Sequence, residues 1–144
     1  MGARAACARR QLSILDSGGT LATSVGIKCQ AWRFGGGGED VESKPFTLIA
    51  GSGEWCVDYA LRLKRELGAD STWVSSYNSE LIAYVPSARV KAEGGMEAGE
   101  AMLEYRNPAP FGEEVEEVIV AKVHELVEGM KGSAEREKKR HRRA

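Results

Sequence analysis

The run FTLIAGSGEWCVDYALRLKRELGADSTWVSSY, residues 46–77, decides the fold. FTLIA (46–50) is a short apolar run suited to a buried strand, and the glycines of GSG (51–53) end it. From Glu54 the pattern turns helical: Cys56, Tyr59, Ala60, Leu63 and Leu67 recur at spacings of three and four, with Arg62, Lys64, Arg65 and Glu66 on the other side. Gly68 stands where such a helix stops. STWVSSY (71–77), rich in β-branched and aromatic residues, then reads as a second strand. Strand, glycine turn, helix and strand within about 30 residues make a right-handed βαβ crossover, with residues 46–50 and 71–77 as parallel neighbours and a helix from about 55 to 67 between them. The fold class is α/β.

Working outward, IKCQAWRF (27–34) alternates as a half-buried strand does, with Ile27, Cys29 and Ala31, joined by Phe34, favouring one face. Before it, residues 5–15 suit a short helix halted by DSGG (16–19). After it, the four glycines of 35–38 lack a following GK[ST] and a GxGxxG frame, so they form a turn and not a phosphate loop. Downstream, LIAYV (81–85) is a short apolar segment ended by Pro86, and residues 87–93 allow a turn or two of helix before Gly94-Gly95. Residues 96–107 are ambiguous, and Pro108 and Pro110 break whatever they form. The clearest helix follows over 112–130. Val115, Val118, Ile119, the Lys122 stem, Val123, Leu126 and Met130 share one face, and Glu113, Glu114, Glu116 and Glu117 suit the positive end of the helix dipole.

The chain has 144 residues, 42% of them hydrophobic, with a formal charge of −1 that conceals an asymmetry. Residues 1–10 carry Arg4, Arg9 and Arg10 and no acid, while 132–144 carry six basic residues against two acidic ones. The body between is therefore acidic, which argues against specific nucleic-acid binding, since phosphate contacts need a basic face. The expected organisation is a basic N-terminal extension (1–10), a folded body (11–131) and a disordered basic tail (132–144). No run approaches the roughly 20 apolar residues of a transmembrane helix, and no signal-peptide core follows the first arginines. Three separated cysteines without a CxxC spacing (Cys7, Cys29, Cys56) fit reduced thiols.

Only two histidines are present, His124 and His141, too few for a defensible Ser-His-Asp set. Glu54 is the notable carboxylate, because it follows a buried strand on a glycine turn, at the carboxyl end where open α/β sheets place their ligands. From local features alone, capping the dipole of the crossover helix is the favoured role for it.

WRFG (32–35), GSGEWCVDYALRLKREL (51–67), YNSELIAYVPSARVKAEGG (77–95) and PAPFGEEVEEVIVAKVHELV (108–127), taken in order, resemble the neutral/alkaline, non-lysosomal ceramidase family. The resemblance spans about residues 11–130 and corresponds to the C-terminal part of that family's catalytic domain. It implies that the fold is a βαβ-containing fragment of a larger zinc-hydrolase domain, with a long C-terminal helix. The implied activity is a zinc amidohydrolase cleaving the amide of an N-acylsphingosine, a lipid-like N-acyl substrate. The family holds zinc with two histidines, a glutamate and a tyrosine; Glu54 matches the glutamate and Tyr84 the tyrosine. Zinc in such a site acidifies its water to a pKa of about 7, so that it attacks an amide carbonyl.

The chain departs from the family pattern where the chemistry is densest. Neither His124 nor His141 matches a ligand histidine, the segment before the tyrosine is Asn78-Ser79-Glu80, and Met96 replaces the usual aromatic after Gly-Gly. Two ligands of four imply a chain that is inactive alone, as expected of a truncated or decayed copy. A different class of function is a non-catalytic interaction module whose basic tail makes weak electrostatic contact with nucleic acid or an anionic membrane surface.

Overall fold

The computed structural model describes residues 2–35 and 44–141, with residue 3 and residues 132–141 described by backbone alone. Of the glycine turn expected over residues 35–38, residues 36–38 lie outside these residues. In chain order the elements are α1 (Ala3–Asp16), β1 (Cys29–Phe34), β2 (Phe46–Gly51), β3 (Glu54–Trp55), α2 (Val57–Leu67), β4 (Thr72–Ser75), β5 (Tyr84–Val85), α3 (Ala88–Glu93), α4 (Ala101–Glu104) and α5 (Val115–His141). A π turn, Met96–Glu100, leads into α4 and resolves the ambiguous stretch after Gly95.

The expected crossover is present. β2 pairs parallel with β4, Thr47 opposite Thr72 and Ile49 opposite Val74, with α2 between them in sequence; β1 pairs antiparallel on the other side of β2. The sheet order is β1-β2-β4, and β3 and β5 form a second, two-stranded parallel ladder. One expectation needs correction: the crossover helix begins at Val57, not near residue 55. Glu54 and Trp55 are extended because the Glu54 amide donates to the Ala83 carbonyl at 2.8 Å and the Cys56 amide to that of Val85 at 3.3 Å. Glu54 therefore has no capping role. Asp58, in the first turn, meets the helix dipole instead.

α2 and α5 cover one face of the sheet. Tyr59 and Leu63, one turn apart on α2, are fully buried with Ile49, Val85 and Val123, each burial contributing roughly 1.5–3 kcal/mol. The Tyr59 hydroxyl donates to the Pro86 carbonyl at 3.0 Å, so the phenol enters the core with its polar atom satisfied. On α5 the buried stripe is Val115, Ile119, Val120, Val123 and Val127. Val118, expected on that face, is 60% exposed, because it lies two residues, about 200°, around the helix from Val120.

The helix backbone of α5 runs on to His141 through residues expected to be a disordered tail. Residues 134–140 (AEREKKR) are all good helix formers, and a packed helix on their N-terminal side removes the cost of nucleation. At the other end, the basic residues 4–10 lie within α1, exposed except for the buried Cys7, and Gln11 donates its side-chain amide to the Pro108 carbonyl at 3.1 Å. No helix among the described residues is long and apolar enough to cross a membrane.

The second face of the sheet carries Trp32, Phe34, Phe46, Leu48 and Trp73, and it is open: Trp32, Phe34 and Trp73 are 41%, 53% and 62% exposed. Phe34 belongs here, not with Cys29 and Ala31, because strand residues of opposite parity point to opposite faces. Phe46 packs on both Phe34 and Trp73, with ring centroids 6.3 and 6.2 Å apart. Strands in parallel pairs are normally covered on both faces.

Carboxylates tie the helices together. Asp58 accepts hydrogen bonds from Arg89 and from the Ser87 hydroxyl, which hold its carboxyl below its ordinary value. Glu66 is held low by His124 and then Arg62, and Glu117 by Arg62. A carboxylate with a folded pKa below its unfolded one stabilises above the unfolded value, and that contribution is lost as pH falls through the folded one. Thermal stability is therefore expected to be level near neutrality and to decline from about pH 5 downward. A melting temperature unchanged between pH 6 and pH 3, read by circular dichroism, would contradict these assignments.

Candidate functional site

The GSG turn (51–53) builds the site by bringing β3 back against a segment 30 residues downstream. Both glycines are sterically required. A Cβ at Gly51 would lie 2.1 Å from the Trp55 indole, and Gly53, at φ +80°, would place one 2.9 Å from the Ala83 carbonyl oxygen. With that approach allowed, Gly53 N–H reaches the Glu80 carbonyl at 2.8 Å, and the short ladder pairs Glu54 with Tyr84 and Trp55 with Val85. Trp55 and Val85 point into the core. Glu54 and Tyr84 share the opposite, half-exposed face at the carboxyl end of β2.

Two further tyrosines, which the sequence reading did not identify, feel the charge of the same carboxylate. The Glu54 carboxylate contributes to raising the phenols of both Tyr77 and Tyr105. The Tyr77 phenol is pushed up to about 12, first by the Glu54 carboxylate, because a nearby carboxylate favours the neutral phenol. Burial does most to raise Tyr105, followed by the charges of Glu54 and Glu104. Tyr84 is also pushed up to about 12, by burial and then by the charges of Glu97, Cys56 and Glu54. All three phenols are raised, and Glu54 contributes to each. No spacing rule links positions 54, 77, 84 and 105. Glu54 and Tyr84 meet through a strand pair.

Oxygen donors of this kind fit part of a zinc site: a carboxylate and a phenol on one face, adjacent in register. They do not complete one, since a catalytic zinc takes three protein ligands and keeps one position open. Among the described residues no group of three or more His, Cys, Asp or Glu side chains could hold a metal. His124 is engaged elsewhere, its Nε2 2.7 Å from Glu66 on α2. Two surface concavities, of about 120 and 220 Å³, lie at residues 22–25 with 107–112 and around the π turn; Glu54 and Tyr84 line neither. The chain matches no family model, no curated protein and no solved structure.

Proposed function

We propose that this chain supplies the carboxylate–phenol half of a zinc amidohydrolase site of the ceramidase type, acting on a lipid-like N-acyl substrate such as an N-acylsphingosine. One observation carries the reading: Glu54 and Tyr84, the two residues that match the family's oxygen ligands, are register partners in a parallel ladder at the carboxyl end of a sheet strand. Glu54 would bind the metal through its carboxylate and Tyr84 through its phenol. The metal, when bound, would supply Lewis-acid activation of an amide carbonyl. The remaining nitrogen donors belong to a complementing polypeptide segment. The open aromatic face of Trp32, Phe34 and Trp73 supports the same reading, because it is a sheet surface lacking its second layer among the described residues.

The chain alone is then expected to bind zinc weakly and to leave an N-acylsphingosine intact. Zinc titration by calorimetry, with Glu54→Ala and Tyr84→Phe as comparisons, tests the first point, and an amide-hydrolysis assay tests the second. Weak binding abolished by Glu54→Ala and reduced by Tyr84→Phe supports the half-site. Zinc-dependent turnover by the chain alone, or binding indifferent to both substitutions, overturns it.

A further inference from the structure

Strand pairing gives the open sheet face a definite layout. Phe34 lies beside Phe46, and in the next row Trp32, Leu48 and Trp73 stand abreast. In the row beyond, Ala50 is buried between Gln30 and Ser75, so the bare area is confined to the first two rows. The exposed Trp32 and Trp73 flank the half-buried Leu48 and leave a trough between two indoles. Phe46 packs on both Phe34 and Trp73, with ring centroids 6.3 and 6.2 Å apart. Rings already ordered by a neighbour lose little freedom on binding. Neither row contains a charged side chain; Arg33, the charged residue of β1, has the opposite parity.

Area and charge together select the occupant. A whole aromatic side chain presents about 150–250 Å², so at their exposures Trp32, Phe34 and Trp73 leave roughly 300 Å² bare. The half-buried Phe46 and Leu48 bring the patch to about 400 Å². Two such patches face to face withdraw about 800 Å² of apolar surface, and a polar rim carries the total past the roughly 1,000 Å² of a specific interface. An anionic lipid surface or a nucleic-acid strand calls for basic residues, which the face lacks. A face without charge can instead meet its own image with no like charges opposed. We infer that this face is a two-fold interface between two copies of the chain, built on Trp32, Phe34, Leu48 and Trp73. The trough over Leu48 in one copy takes an indole of the other, as the inner faces of packed sheets interdigitate. Each copy thereby supplies the second layer that parallel strands require. An interface of this size makes a reversible dimer with a dissociation constant in the micromolar range. The patch lies at the start of β2 and the Glu54–Tyr84 ladder beyond its end, so the inference stands apart from the half-site reading.

Sedimentation equilibrium of the full chain, from low micromolar to high micromolar concentration, tests it. The mass is expected to rise from 15.6 kDa towards twice that value and to stop there. Tryptophan emission should shift to the blue over the same range, as Trp32 and Trp73 leave water. Trp73→Lys and Phe34→Lys, each checked for native circular dichroism, should each weaken association at least roughly 30-fold, since each removes an anchor ring and sets like charges about the two-fold axis. Leu61→Lys, a loss of exposed apolar surface on α2, should leave association unchanged. The emission of the native chain keeps the test decisive if a variant does not fold. A chain that stays at 15.6 kDa throughout overturns the inference, as does growth past two chains or a mass rise without the blue shift. Association that either folded sheet variant leaves intact, or that Leu61→Lys weakens equally, also overturns it. So does a blue shift that appears only with phosphatidylserine vesicles, which would make the face a lipid contact. Zinc titration reads the ladder and sedimentation reads the face, so either reading can fail alone.

Discussion

Gly51→Ala is expected to destabilise the chain by about 3 kcal/mol and to dismantle the Glu54–Tyr84 ladder with it. The new methyl would lie 2.1 Å from Cζ2 and 2.2 Å from Cε2 of Trp55, and that ring has no room to withdraw. Trp55 is buried, its Nε1–H donates to the Ser52 carbonyl at 3.0 Å, and its ring packs on Tyr59 with centroids 5.2 Å apart. Relief must come from the backbone of residues 51–55, which is the segment that pairs with β5. Gly129→Ala is the internal comparison. Nothing lies within 4 Å of its added Cβ in mid-α5, so it should stabilise by roughly 0.5–1 kcal/mol through helix propensity. Urea denaturation of the three proteins measures both effects, and a Gly51→Ala cost below about 0.5 kcal/mol would refute the steric argument.

Arg62→Met is expected to cost about 2 kcal/mol, more than a surface ion pair warrants. The Arg62 guanidinium meets three carboxylates, Glu66 at 2.9 Å on its own helix and Glu116 at 2.9 Å and Glu117 at 2.5 Å on α5. Its side chain is 22% exposed and that of Glu116 only 12%, so the α2–α5 contact holds a largely desolvated pair. Glu116 also accepts the Ala88 amide at 2.7 Å and so ties the start of α3 to α5. Removing the guanidinium leaves Glu116 buried with that amide as its remaining partner. Adding Glu116→Gln to Arg62→Met should recover part of the loss, because the uncompensated charge is gone while the amide acceptor stays. Chemical denaturation of both variants checks this; if the double variant is less stable than Arg62→Met by the full cost of a second independent change, the two residues do not act as a unit.

The βαβ unit was legible in the sequence because each of its parts is local. A short apolar run, two glycines and a three–four periodicity specify strand, turn and helix, and the crossover leaves little freedom in how they pair. Glu54 was placed at the carboxyl end of a strand by the same local pattern. Its secondary structure was misread because EWCVD supports a helix start equally well in isolation, and only hydrogen bonds to Ala83 and Val85 hold residues 54–55 extended. Phe34 and Val118 were put on the wrong faces where an irregular apolar pattern was stretched by one residue. What the sequence by itself determined is therefore the order and type of the main elements, and the nomination of Glu54 and Tyr84. The tertiary structure alone decided that these two are register partners and that, among the described residues, one sheet face stays open. Each of those facts depends on contacts between residues tens of positions apart, whose geometry is set by backbone pairing and chain closure and leaves no period in the sequence.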